Sequence, residues 1–232
     1  MSDSALVRAW PAAGLRARSG DLELRWADDA LAVQLAELAA RGVHPPDTMP
    51  FLVPWTRAEP EKLVRETLAY YWGVRGQIGP ELFRLELAVL LDGVVVGVQG
   101  AGGRDWSVLR TLETGSWLGL AYQGRGIGSR MRALMLELLF DGLGARVVTS
   151  GAYVDNPASN AVSRRVGYVA DGQDEVVRDG VPTPHQRYRL TREDWRAVRE
   201  ANLALLGAPV ELEGAEAVRR QSGIDDGGPS AT

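Results

Sequence analysis

The chain has 232 residues, 45% of them hydrophobic and 24% charged, with a net charge of -4 and a pI near 5.4. That suits one soluble domain with appendages, or at most two small domains, long enough to bury a core without disulfides or structural metal. There is no cysteine, and His44 and His185 are the two histidines, which excludes thiolate chemistry and disfavours a metal site. The acidic balance argues against a nucleic-acid coat. The absence of a signal pattern or of an apolar run of membrane length gives a cytoplasmic location as the expectation. Of the 26 basic residues only Lys62 is a lysine, which reads as genomic composition.

Taken in order, residues 1–20 read as a flexible lead-in. Leu22, Leu24 and Trp26 alternate with polar residues and predict a strand. Asp28 or Asp29 can cap a helix over 30–41, ended by Gly42. The segment 44–55 holds four prolines and reads as an ordered loop packing through Met49, Phe51, Leu52 and Trp55. A helix over 59–72 follows. Strands are expected over 85–91 and 94–99, joined at Asp92 and Gly93 by a two-residue hairpin, and again over 111–120. Apolar residues at helical spacing from Ile127 to Phe140 predict a helix. A strand over 147–154 leads to Asn156, a good N-cap, with Pro157 at the first helical position. That helix stops at Gly167. A strand pair turning near Asp179 and Gly180 returns through Gln186 to Leu190, and 191–206 looks helical. The order predicts an α/β fold: a mixed sheet of about seven strands with four to five helices, its domain spanning 21–206. Residues 207–232 read as a partly mobile C-terminal extension.

The chemistry concentrates at Gln123, Gly124, Arg125, Gly126, Ile127 and Gly128, between an apolar strand and an amphipathic helix. Glycines permit close backbone approach, and free N–H groups at a helix start attract a phosphate or pyrophosphate. The loop lacks the third glycine of a dinucleotide fingerprint and the lysine of a P-loop. A glycine-rich turn can also be plain fold geometry.

What remains, Q-x-x-G-x-G, resembles the pyrophosphate loop of the GNAT superfamily of CoA-dependent acyltransferases. The run Asn156, Pro157, Ala158, Ser159, Asn160 through Ser163, Arg164, Gly167 and Tyr168 is similar to the helix lining the other side of CoA in that family. Together the motifs cover about 87–190. The surroundings of Trp117 and the Asn156–Asn160 run most resemble the RimJ/RimL branch, which acylates protein N-termini and small amines. The segments 49–55 and 115–119 are similar to a group of high-GC bacterial members for which succinyl-CoA is the suspected donor.

The resemblance implies a splayed pair of parallel strands around CoA, with a bulge in the strand before the loop. Leu118, Gly119, Leu120 and residues 123–128 with Ser129 would bind CoA, with Asn156, Ser159, Asn160, Ser163 and Arg164 on the far side. Arg125 and Arg130 would meet phosphates. Glu113 is the candidate base, with Asp174 and Glu175 as rivals. Ser163 is the candidate proton donor to sulfur, although a helix serine can simply bond its own backbone. Asn156 is both cap and candidate catalytic residue. Met49, Phe51, Trp55, Trp117 and Tyr153 would wall the acyl and acceptor pocket. A succinyl carboxylate would need a cation, for which Arg57, Arg104, Arg110, Arg187 and His44 are available. The expected activity is transfer of an acetyl or succinyl group from acyl-CoA to a primary amine, without metal, nucleic acid or membrane. The alternative is a non-catalytic acyl-CoA-binding regulatory module. Family habit suggests a homodimer.

Overall fold

The computed structural model describes residues 4–224. Nine strands form one sheet in the order β7-β8-β6-β5-β4-β3-β2-β1-β9. They are β1 (Arg16–Ser19), β2 (Leu22–Trp26), β3 (Leu82–Leu91), β4 (Val94–Arg104), β5 (Thr111–Leu118), β6 (Val147–Tyr153), β7 (Val169–Arg178), β8 (Val181–Thr191) and β9 (Val210–Glu213). The helices are α1 (Ala5–Ala9), α2 (Asp29–Ala40), α3 (Pro60–Arg75), α4 (Trp106–Leu109), α5 (Ile127–Glu137), α6 (Pro157–Arg165), α7 (Arg192–Leu206) and α8 (Ala215–Gln221). A π turn, Leu138–Gly142, continues α5.

Local chemistry accounts for the boundaries. Asp28, not Asp29, caps α2, its carboxylate accepting from Leu31 N at 2.9 Å. Asn156 caps α6 through Ser159 N at 3.1 Å. Thr191 and Asp194 form a capping box on α7. Asp92 and Gly93, at φ 49° and 79°, make the expected hairpin between β3 and β4, and Asp179 and Gly180 repeat it between β7 and β8.

Two strands exceed the expected seven. Residues 16–19, read from sequence as lead-in, form β1, which pairs antiparallel with both β2 and β9. Residues 210–224 are likewise built in: Ala215, Val218 and Ile224 are buried, and Trp106 Nε1 donates to Ser222 Oγ at 3.0 Å. Strands of four residues are too short to show a clear alternation, which hides them in the sequence. Residues 1–3 and 225–232 lie outside the described residues. β4 runs five residues beyond its expected end because its terminal glycines permit close packing. A Cβ at Gly103 would stand 2.4 Å from Thr111 O.

One face of the sheet is covered by α5 and α7 over a core including Leu112, Leu118, Ile127, Met131, Leu134 and Trp195. The other carries α2 and α3 over Leu31, Leu35, Tyr71, Ala88 and Val98, with Trp117 packed against them. All neighbouring strands are antiparallel except β5 and β6. That parallel pairing covers only Thr111–Thr114 against Val147–Ser150. Beyond it β5 follows β4 and β6 follows β8, so the sheet opens like a V. The expected bulge is not in β5: the β4–β5 register runs without a shift, and the shifts fall at Val89/Leu90 and Ala170/Gln173. The opening comes from the two central strands following different partners. No helix among the described residues is long and apolar enough to cross a membrane.

Candidate active site

The glycine loop sits at the wide end of the V. Gly124 and Gly126 have φ of 71° and 77°, and a Cβ on either would meet nothing within 4 Å. Gly126 is the N-cap of α5 and has no side-chain cap bond, so the first N–H groups of that helix have no capping side chain. An exposed cradle with empty space where side chains would stand fits a pyrophosphate. Ile127 is buried and fixes the helix start, Ser129 is buried beside it, and Gly128 lies against Val162 of α6. Arg125 is exposed at the loop, whereas Arg130 is ion-paired with Asp21.

Gln123, read in the sequence as part of the CoA loop, is bonded within the protein. Its amide donates to Val43 O at 2.7 Å and to Leu118 O at 2.9 Å, so it locks the loop rather than reaching outward. Gly119 N donates to Val96 O and Leu120 N to Gly42 O. With Gly119 bonded to β4, strand alternation turns the backbone groups of Ser116 and Leu118 into the V.

At the vertex lies Arg132 of α5, which is 3% exposed. Its guanidinium donates to Gln99 Oε1, Thr114 Oγ1, Ser150 Oγ and Ser116 Oγ at 3.0–3.1 Å, tying β4, β5 and β6 where the V begins. Tyr168 closes the cluster through a 2.9 Å hydroxyl bond with Thr114.

Helix α6 flanks the other limb. Asn156 and Ser159 are engaged at its cap. Asn160 is buried, its amide donating to Tyr153 O and Asn156 O and its oxygen accepting from Tyr188 at 2.8 Å. It therefore shapes the limb, with its own polar atoms already bonded within the protein. Ser163 is buried on the same helix, and Arg164 is exposed with one donor on the Tyr188 hydroxyl.

On the α2/α3 face the register sets side chains in rows. Arg84, Gly102 and Glu113 make one row, Glu86, Gly100 and Gly115 the next, and Ala88, Val98 and Trp117 the third. Gly115 is the first β5 residue past the β6 pairing, and a Cβ there would meet nothing within 4 Å. Around that empty position stand Glu86 over Gly100, His185 over Gly151, Glu113 and Trp117. His185 Nδ1 is 3.2 Å from Asp174 Oδ1. Glu175, one residue on, points to the opposite face. Glu86 accepts from the Tyr70 hydroxyl at 2.7 Å. Burial lifts Glu86 to about 7, against the opposing effects of Tyr70 and Arg84. Burial also raises the Tyr70 and Tyr71 phenols.

Three of the residues expected to wall the pocket, Phe51, Trp55 and Trp117, form one aromatic cluster. Phe51 lies 5.3 Å from Trp55, and Trp55 lies 5.9 Å from Trp117. Met49 is buried in the same loop. Tyr153 stands on the opposite limb, under Arg178 at 4.4 Å, with its buried hydroxyl unbonded. Arg57 is held by Asp179 at 2.6 Å, joining the aromatic loop to the β7–β8 turn. Arg104 and Arg110 lie at the strand ends away from the loop, which removes them from the set of carboxylate partners. Among the described residues no His, Cys, Asp and Glu cluster could hold a metal. Sequence reasoning missed Glu86, Tyr70, Arg132 and the His185–Asp174 pair, because register and packing, not spacing, bring them together.

A sheet opening at one parallel pair, with an anion cradle at its mouth, suits a ligand that carries a phosphate or pyrophosphate. The acetyltransferase (GNAT) domain family matches residues 21–169, and the chain belongs to that family. It is 29% identical over 133 residues to YdaF of Bacillus subtilis (strain 168), whose provisional name is ribosomal N-acetyltransferase; the match covers 56% of this chain and 70% of that protein. The fold is similar to Mycobacterium smegmatis RimJ solved with a CoA disulfide, at TM-score 0.65 and 22% identity, over 85% of this chain and 94% of that one. It also resembles RimL, a ribosomal L7/L12 alpha-N-protein acetyltransferase solved with coenzyme A, at TM-score 0.58 and 21% identity, over 75% and 95% of the two chains.

Proposed function

We propose that this protein transfers an acetyl or succinyl group from acyl-CoA to a primary amine, by direct attack with both substrates bound. The observation that carries the reading is the V between β5 and β6, with the empty Gly124–Gly126 cradle at its mouth. The relatives named for N-acetylation of ribosomal proteins support a polypeptide N-terminus as acceptor, with lysine and small amines as the other candidates.

The donor supplies an activated thioester. Gly124, Gly126 and the first N–H groups of α5 would hold its pyrophosphate, and the backbone of Ser116 and Leu118 its pantetheine arm and carbonyl. Polarising that carbonyl with fixed N–H groups favours attack, because the charge that develops on oxygen is met by dipoles already in place. Trp55 and Trp117 exclude water on one side. A carboxylate on the α2/α3 face must take a proton from the ammonium, since only the neutral amine has a free lone pair. Ser163 would hydrogen-bond the departing sulfur. For a succinyl donor, Arg187, opposite Gly151 in the β6–β8 ladder, is the candidate partner of the free carboxylate.

The test is release of free thiol from acetyl-CoA and succinyl-CoA, each offered a peptide with a free N-terminus, a lysine peptide and n-butylamine. Acceptor-dependent release from either donor supports the reading. Saturable binding with no release for any acceptor points to the regulatory module instead.

A further inference from the structure

Glu86 lies outside every segment that the sequence marks for chemistry. Tyr70 on α3 donates to its Oε1 at 2.7 Å. Opposite it on β4, Gly100 carries no side chain, and a Cβ there would stand 2.5 Å from Glu86 Oε2. The carboxylate therefore lies flat over Gly100. The next position in the same row is Gly115, about 4.8 Å away by strand spacing, where the space is empty. That space lies at the vertex of the V on the α2/α3 face.

The other half-buried or buried carboxylates that fasten the fold have guanidinium partners. Glu23 is held by Arg16 at 2.7 Å and Glu137 by Arg199 at 2.8 Å. Among the described residues Glu86 has no cation within 4 Å: its bonded partner is the Tyr70 hydroxyl, and Arg84, two residues back on the same face of β3, acts on it from farther away. A carboxylate kept partly desolvated with no cation bonded to it favours an incoming one. Glu113 is placed less well: it stands one row lower, opposite Gly102 and in the closed part of the β5–β6 ladder.

We propose that Glu86, held by Tyr70, seats the acceptor's primary ammonium over Gly115 and takes up its proton. This rests on the acyl-transfer reading above. The ammonium gives one proton to Glu86, leaving a neutral amine. The nitrogen lone pair forms the N–C bond, the C–S electrons leave with sulfur, and the second surplus proton on nitrogen passes to that sulfur. Glu86 then returns its proton to water. Burial places the carboxyl close to neutral, where one group can accept and return a proton.

The test follows the Glu86 carboxyl by carbon-13 NMR in the full-length protein with CoA bound, its signal assigned by loss in Glu86→Gln. Added n-butylammonium should lower the titration midpoint by about one pH unit, because a seated cation favours the charged carboxylate. Tyr70→Phe should raise the midpoint, since it removes a bond to the charged form. A purely structural Glu86 would show no movement with the amine, and that result overturns the proposal. With acetyl-CoA and n-butylamine, the acid limb of kcat/KM should vanish in Glu86→Gln while acetyl-CoA affinity stays within about twofold. An unchanged limb also overturns it. Failure of the wild type to bind acetyl-CoA would instead count against the acyl-transfer reading, and the response of the carboxyl to butylammonium would still decide the role of Glu86.

Discussion

Gln123 and Val43 are joined by a 2.7 Å hydrogen bond from the Gln123 amide to the Val43 carbonyl. The same amide nitrogen reaches Leu118 O, so one side chain fixes the glycine loop, the end of β5 and the entry to the aromatic loop. Gln123→Ala should orphan both carbonyls and cost about 1–3 kcal/mol in urea unfolding. It should also weaken CoA binding, because the cradle loses its anchor. Unchanged stability would show that the loop holds itself.

Gly126 tests the cradle separately. At φ 77° an alanine costs about 1–2 kcal/mol of backbone strain, yet its methyl meets no protein atom. Gly126→Ala should fold, melt slightly earlier, and lose affinity for CoA by about tenfold or more as the methyl enters the anion site. Calorimetry of the folded variant measures this.

The raised Glu86 carboxyl makes stability depend on pH. Its folded value, about 7, exceeds the ordinary 4.5, so the folded chain holds a proton that the unfolded chain releases. That contribution is present in full below 4.5 and is lost as pH rises through 7. Glu86→Gln should therefore be more stable than wild type at pH 8, by about 1–3 kcal/mol, with partial exposure of the carboxylate favouring the lower end. Thermal melts should show the gain at pH 8 and none at pH 4.

Arg132 is a buried cation whose bonded partners are all neutral. Arg132→Met should leave Gln99 and Ser150 without their donor and destabilise by about 3 kcal/mol or more in urea unfolding. Arg132→Lys should recover little, because an ammonium cannot span three strands as a planar fork does.

Ser163→Ala isolates the proposed bond to sulfur. Turnover should fall while CoA affinity is kept. Equal turnover in variant and wild type would remove Ser163 from the mechanism.

Much of this was legible in the sequence because it is local. Asp92–Gly93 declares its hairpin through turn chemistry, Asn156–Pro157 its helix start, and the glycines at 124 and 126 a left-handed backbone that side chains adopt only at a cost. Gln123 was legible as a motif but not as a brace, since Val43 is 80 residues away. Glu86 reads as an ordinary polar position on an alternating strand. Only the register that sets it beside Gly100 and Gly115, and the packing of α3 that brings Tyr70, give it a role. The β1–β9 pairing was hidden for the same reason: two four-residue strands join across nearly the whole chain.

The most direct measurement compares calorimetric binding of CoA with that of pantetheine, which keeps the arm and lacks the pyrophosphate and nucleotide. A donor held by the Gly124–Gly126 cradle at the mouth of the V predicts saturable binding of CoA and at least about tenfold weaker binding of pantetheine. Equal affinity for the two, or no binding of CoA, would contradict the account.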